Sequence, residues 1–336
     1  MDYLHSKGGD LETPSQEGKT PLYHAAEAGE FEVVKYLVNK KVNINAMSND
    51  RLAPVHATNQ LEIVKYLFQP GVTDPNKGLY KASIVDETDV VEFLLANGAN
   101  INYINAINGQ TALHNAADFG YLSLAQFLVK NNAEIDLKSS DGELTALHYA
   151  SKYNHLPIVQ LLIENNASLD ETDNVGQTAL QMAAIRGNFE VVQFLVEKGA
   201  NITSVDKNGF NALQVAENEK IASYFIDQGA SYISVPQALQ YAITNYNHAT
   251  VKFLLKNYAN INEKLDEGKT PLHLTVQFGD VDNTNYLLAN NADVKAKDDL
   301  GKTALHYAAA FEVYGSLEIA DAILKKKPEL EAKVNI

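Results

Sequence analysis

The sequence predicts an all-α solenoid, built from stacked helix-turn-helix units joined by β-hairpin-like fingers. Three observations carry that expectation. A phrase of the form Gly-x-Thr-(Pro/Ala)-Leu-His returns along the 336 residues. Its leucine slot holds Leu113, Leu147, Leu180, Leu213, Leu239, Leu272 and Leu305, mostly 33 or 34 residues apart. A second, apolar phrase follows the first and closes on a Gly/Asn-Ala-Asn-Ile-type tail. Self-similarity at such a period marks a repeat architecture, in which each unit buries its apolar face only against its neighbours.

Each element follows from its residues. The first phrase opens with Thr, which caps a helix through its side-chain oxygen, and often with Pro, whose missing N–H costs nothing in a first turn. The Leu-His-x-Ala-Ala run after it reads as a short helix. Its small alanines, such as Ala25, Ala26, Ala116, Ala117, Ala183 and Ala184, allow close helix approach. In the second phrase, Val33, Tyr36 and Leu37, like Val191, Phe194 and Leu195, fall at i, i+3 and i+4. That spacing lines one face of an amphipathic helix. Glycine then accepts the left-handed conformation of a helix stop, and the Asn-Ile-Asn tail leads into an extended finger.

With Thr-Pro-Leu-His recurring in register over nearly the whole chain, the sequence resembles the ankyrin repeat. It is read as one domain over 1–336. The ten units lie near 18–46, 47–78, 79–105, 106–138, 139–172, 173–205, 206–234, 235–264, 265–297 and 298–331, with partial units at 1–17 and 332–336. In the second and seventh units, three residues are missing between the two helices, about one helical turn. Each of these is followed by a unit without the Thr-Pro-Leu-His phrase, near Leu79 and Leu239. Leu22 and Leu180, Val55 and Leu213, and Leu147 and Leu305 are each 158 residues apart, which points to a duplicated five-unit block. The tenth unit has three extra residues before Ile319, so its first helix should be longer. Residues Asp2–Glu12 align with Lys35–Asn45, and the chain stops in a finger at Ile336, as a segment of a longer array would.

Composition narrows the function. The formal charge is −15, with 27 Lys and Arg against 42 Asp and Glu, which opposes binding to nucleic acid or to an anionic membrane surface. There is no cysteine, so disulfides, thiolate metal sites and cysteine nucleophiles are excluded. No apolar run approaches the ~20 residues of a membrane helix, and nothing at the start reads as a signal peptide.

Motifs that could carry chemistry fail on spacing. The triplets Gly18-Lys19-Thr20, Gly268-Lys269-Thr270 and Gly301-Lys302-Thr303 lack the earlier glycine of a phosphate loop, since Thr13, Glu263 and Ala296 stand there. His56, His114, His148, His273 and His306 share one slot of the repeat and so lie about a repeat apart, too far to share a metal ion. They are expected to bond neighbouring turns. The scattered carboxylates read as a solvated acidic face. The sequons at Asn166 and Asn201 fall in ordinary finger tails. No catalytic residue, cofactor site or metal site is expected.

What remains is a non-catalytic scaffold for protein–protein interaction. The resemblance implies a partner on the concave face of fingertips and first helices. The variable pairs before the mid-repeat glycine are Glu27-Ala28, Asp118-Phe119, Lys152-Tyr153, Ile185-Arg186, Gln277-Phe278 and Ala310-Phe311. Aromatic rings and arginine are common interface anchors. The candidate partner-binding residues are therefore Phe119, Tyr153, Ile185, Arg186, Phe278 and Phe311. To these the fingertips add Ile107 and Phe210, with Ile104 and Val175 also apolar where polar residues are usual. The acidic balance favours a basic or neutral partner surface through steering. The alternative is a recognition arm of a larger bacterial effector, toxin or enzyme, whose active domain lies elsewhere.

Overall fold

The computed structural model describes residues 10–69, 74–230, 235–310 and 316–326. Its regular elements among these residues are helices, with one isolated antiparallel bridge between Thr172 and Thr178 and no longer strand among them. The helices are α1 (Pro21–Glu27), α2 (Phe31–Asn39), α3 (Leu61–Leu67), α4 (Pro75–Ile84), α5 (Thr88–Ala96), α6 (Ala112–Phe119), α7 (Leu122–Lys130), α8 (Ala146–Lys152) and α9 (Leu156–Glu164). They continue with α10 (Ala179–Ile185), α11 (Phe189–Glu197), α12 (Glu219–Asp227), α13 (Val235–Thr244), α14 (His248–Asn257), α15 (Pro271–Gln277), α16 (Val281–Ala289), α17 (Ala304–Ala310) and α18 (Ser316–Lys325).

The Thr cap is present at three of the places where the phrase puts it, whereas Thr270 makes no side-chain cap bond. Thr20, Thr111 and Thr178 have extended backbones, and their side chains accept the amides of Tyr23, His114 and Gln181. A first helix of seven or eight residues follows, then a tight turn, then a second helix. Val191, Val192 and Leu195 of α11 are fully buried, while Glu190 and Glu197 on its other face are exposed. In place of extended ladders the fingers are closed turns: the Asp173, Asp206 and Asp298 amides donate to the carbonyls of Gln177, Phe210 and Lys302.

The short units lose part of the first helix itself. In the second unit, that helix is a single 3-10 turn, Pro54–His56. In the seventh, residues 212–215 form only a turn before α12. The first helix of the tenth unit is seen through Ala310. The expected extension falls at 311–315, outside the described residues, as do the partial unit at 332–336 and the beginning of the one at 1–17.

The chain divides into two compact units, one of residues 1–150 and 157–168, the other of 151–156 and 169–336. In the first, α1 packs on α2 within its own repeat, while between repeats α4 packs on α6 and α5 on α7, so that first helices meet first helices and second helices meet second helices. The second repeats the pattern with α13 on α15, α15 on α17, and α14 on α16. Its last core joins Leu272, Val276, Leu287 and Leu288 to Ala304, Ile319 and Ile323. Each unit hides its leucines and valines in the layer between successive repeats.

Candidate functional site

The histidine slot is the joint between a first helix and the fingers. Backbone amides of Ala53, Thr111, Thr145, Thr270 and Thr303 donate to Nδ1 of His56, His114, His148, His273 and His306 at 3.0–3.2 Å. Nδ1 therefore carries no proton. Nε2 donates onward: His56 to the Asp74 carbonyl at 2.9 Å, His273 to Lys302 at 3.0 Å, and His114 to both Leu137 and Leu144. In His56, His114 and His273 the ring is a neutral strut with a fixed tautomer. Gln181 replaces it without loss, accepting from the Thr178 amide at 2.8 Å and donating to the carbonyls of Ser204 and Phe210. Burial drives the pKa of His114 down to about 4, and it also lowers His56 and His273.

Three aspartates of the fingers depart from the expected solvated acidic face. Asp173, Asp206 and Asp298 are buried. Each carboxylate accepts two amides of its own turn, as Asp173 does from Val175 at 3.0 Å and Gln177 at 2.7 Å. At Asp298, burial alone would raise the pKa. Hydrogen bonds from the Tyr307 hydroxyl and from the Lys302 and Leu300 amides outweigh it and hold the carboxyl below its usual range. These carboxylates shape the turns that present the fingertip residues.

In the first compact unit, Ile107 is 93% exposed on a finger whose turn is closed by Asn105. Beside it runs a polar chain: Asn108 donates to the Tyr80 hydroxyl at 2.8 Å and to Gln110 at 2.6 Å, and Gln110 donates to the Tyr149 hydroxyl at 2.9 Å. Phe119 ends α6, exposed, with its ring stacked on Tyr121 at 5.7 Å. Ile104 is also exposed.

In the second compact unit, Tyr153 is exposed just past α8, with Lys152 Nζ 5.0 Å from its ring centre. Ile185 ends α10 half-buried, and Arg186 caps that helix in the open. Phe278 caps α15 half-buried, and its carbonyl accepts the Tyr246 hydroxyl at 2.7 Å. Phe210 is half-buried edge-on against Tyr241, 5.0 Å between ring centres, so part of its role is packing. Phe311 lies outside the described residues. Leu300, 54% exposed, stands before the finger glycine as Val175 does. The same period would have found it.

The backbone beside Tyr153 is tied down. Asn188, at the start of α11, donates through Nδ2 to the carbonyls of Ser151 and Lys152 at 2.8 and 3.0 Å. Asn247 grips the carbonyls of Ala216 and Glu217 in the same manner. No group of three or more His, Cys, Asp or Glu suited to a metal occurs among the described residues, and no helix there is long and apolar enough to cross a membrane.

Comparison with known proteins agrees with this geometry. The family profile described as "Ankyrin repeats (3 copies)" matches residues 1–78, 79–173, 167–235 and 237–335. The chain is 31% identical over 119 residues to the transient receptor potential cation channel subfamily A member 1 of Drosophila melanogaster, covering 31% of this chain and 10% of the channel. It is 30% identical over 138 residues to the probable 26S proteasome regulatory subunit p28 of Saccharomyces cerevisiae, covering 37% of this chain and 60% of that subunit. Alpha-latroinsectotoxin-Lt1a of Latrodectus tredecimguttatus is 36% identical over 85 residues, 24% of this chain and 6% of the toxin. The chain thus covers less than two thirds of the length of each of these relatives.

Proposed function

The chain belongs to the ankyrin-repeat family, and from that premise we propose that it is a non-catalytic scaffold holding a protein partner on its concave face of first helices and fingertips. Ankyrin repeats support protein–protein interaction, and the fold is generally non-catalytic. The observation that carries the choice of face is the pairing of exposed apolar side chains with a fixed backbone. Phe119, Tyr153 and Ile107 are open to solvent although large and apolar, while the carbonyls of Ser151 and Lys152 are pinned by Asn188. A rigid frame with exposed rings binds without the entropic cost of ordering a loop.

The test replaces Phe119, Tyr153 and Phe278 together with Ala. Circular dichroism should show helical content close to that of the wild type. In side-by-side pull-downs quantified by mass spectrometry, a bound protein should be recovered at least ~10-fold less, since interface aromatics each contribute on the order of 1–2 kcal/mol. Equal recovery would move the binding surface elsewhere, and loss of helicity would make the rings part of the core.

A second reading, a recognition arm within a larger toxin or effector, is supported by one observation. Stretches similar to this chain make up 6–10% of a spider toxin and of the channel. Sequencing the full transcript decides it: a second, non-repeat domain in the same reading frame supports it, and a reading frame made of repeats alone removes it.

A further inference from the structure

In a chain with 15 more acidic than basic groups, one spot on the first-helix face is locally cationic. Lys152 closes α8, and Arg186 caps α10, the next first helix along the chain. With Gln177, Met182 and Ile185 they line a cleft of about 180 Å³. Neither cation forms an ion pair with another described residue. Glu217 has its Cγ beside Gly187, yet pairs with neither. The floor is apolar: Met182 is 8% exposed and Ile185 half-buried. At the equivalent ends of α1, α6 and α15 the paired positions hold Glu27-Ala28, Asp118-Phe119 and Gln277-Phe278, so the two cations do not belong to the repeat pattern.

We propose that this cleft receives a glutamate side chain of the protein partner, its carboxylate between Lys152 and Arg186 and its methylenes on Met182 and Ile185. The inference rests on the first-helix face being the partner surface. Size supports it, because small-molecule pockets usually span ~300–1,000 Å³ and this one has room for a single side chain. Charge supports it as well. Arg presents a planar fork that matches a carboxylate, and a carboxylate drawn from water to two cations that form no ion pair among the described residues gains a charge-assisted bond at each. The surrounding net negative charge repels extended polyanions, so one acid framed by neutral or basic residues fits where a phosphate backbone does not. The partner segment carries a glutamate beside a branched apolar residue, the latter meeting the exposed Tyr153 ring.

The test uses the whole chain and a random-peptide phage library as probe, followed by fluorescence anisotropy with a synthetic peptide of the enriched sequence. The enriched peptides should carry Glu next to Leu, Ile or Val. Changing that Glu to Gln should weaken binding about 10-fold. The double variant Lys152→Glu/Arg186→Glu, with helicity and melting temperature checked first, should bind the original peptide at least ~10-fold less and recover affinity for the version carrying Lys. Met182 gives the location. In protein labelled with ¹³C at the methionine methyls, of which there are three, the Met182 signal should shift on titration with the peptide. Enriched peptides lacking an acid, or binding that survives the double reversal, would overturn the inference and leave the scaffold reading to the aromatic triple variant. Displacement by millimolar inorganic phosphate at constant ionic strength would assign the cleft to phosphoryl groups, and would also overturn it. A library that yields no enrichment counts against the cleft as a peptide site.

Discussion

The Nδ1 atoms of His56, His114 and His273 accept backbone amides, so none of these rings can take a second proton while its strut stays intact. Burial, ahead of the carbonyl contacts that oppose it, holds His114 near 4, whereas a histidine in the unfolded chain titrates near ~6.5. Between those values the unfolded chain binds the extra proton. The contribution is fully present above pH ~6.5 and is lost as pH falls toward ~4. For His114 this is about 2 kcal/mol between pH 7 and pH 5. Urea unfolding at the two pH values should show that loss reduced in His114→Gln, because Gln181 makes the same bonds in its own unit without titrating. An unchanged pH dependence would assign acid sensitivity to other groups. Glycine offers a second residue-scale test. Gly109 has φ +68°, and a Cβ there would come within 2.1 Å of the Ser140 amide nitrogen; Gly98 has φ +91° with open space around it. Gly98→Ala should cost about 1 kcal/mol from backbone conformation alone, and Gly109→Ala about 3 kcal/mol or more, both read from thermal unfolding.

Among the elements, the short first helices matter most. Where α6 buries Leu113, His114, Ala116 and Ala117, the second unit has only the turn Pro54–His56 and the seventh only residues 212–215. The second helices that follow them, α3 and α12, therefore lean on less buried surface. Native-state hydrogen exchange should find the amides of α3 and α12 opening at lower free energy than those of α7 and α11. Equal protection would mean that the neighbouring units compensate fully. Much of this level was legible in the sequence, because the i, i+3, i+4 stripe and the Thr cap are local signals, and the missing turn showed as three absent residues. The finger aspartates were not legible. Whether Asp173 or Asp298 faces water depends on amides and a tyrosine brought to it by the turn and by the next first helix, and residue type does not carry that. The candidate surface was half legible for the same reason. Phe119 and Phe278 occupy one slot of the repeat, yet one ring is exposed and the other half-buried, and the slot alone does not tell them apart.

At the scale of the molecule, stability comes from layers between neighbours, so damage should stay close to where it is made. Leu195 of α11 is fully buried, and Leu195→Ala should cost roughly 2–5 kcal/mol. Exchange protection should fall across α10 to α12 while α15 and α16 keep theirs. A uniform loss over all of these helices would show that the second compact unit unfolds as one cooperative block. The two asparagine grips have a consequence of a different kind. Because Asn188 holds the end of α8 through main-chain oxygens only, the side chains at 152 and 153 can be exchanged without disturbing the frame that presents them. Binding preference and foldability are then separately adjustable at that place, and a new specificity could be installed there by rewriting a handful of letters.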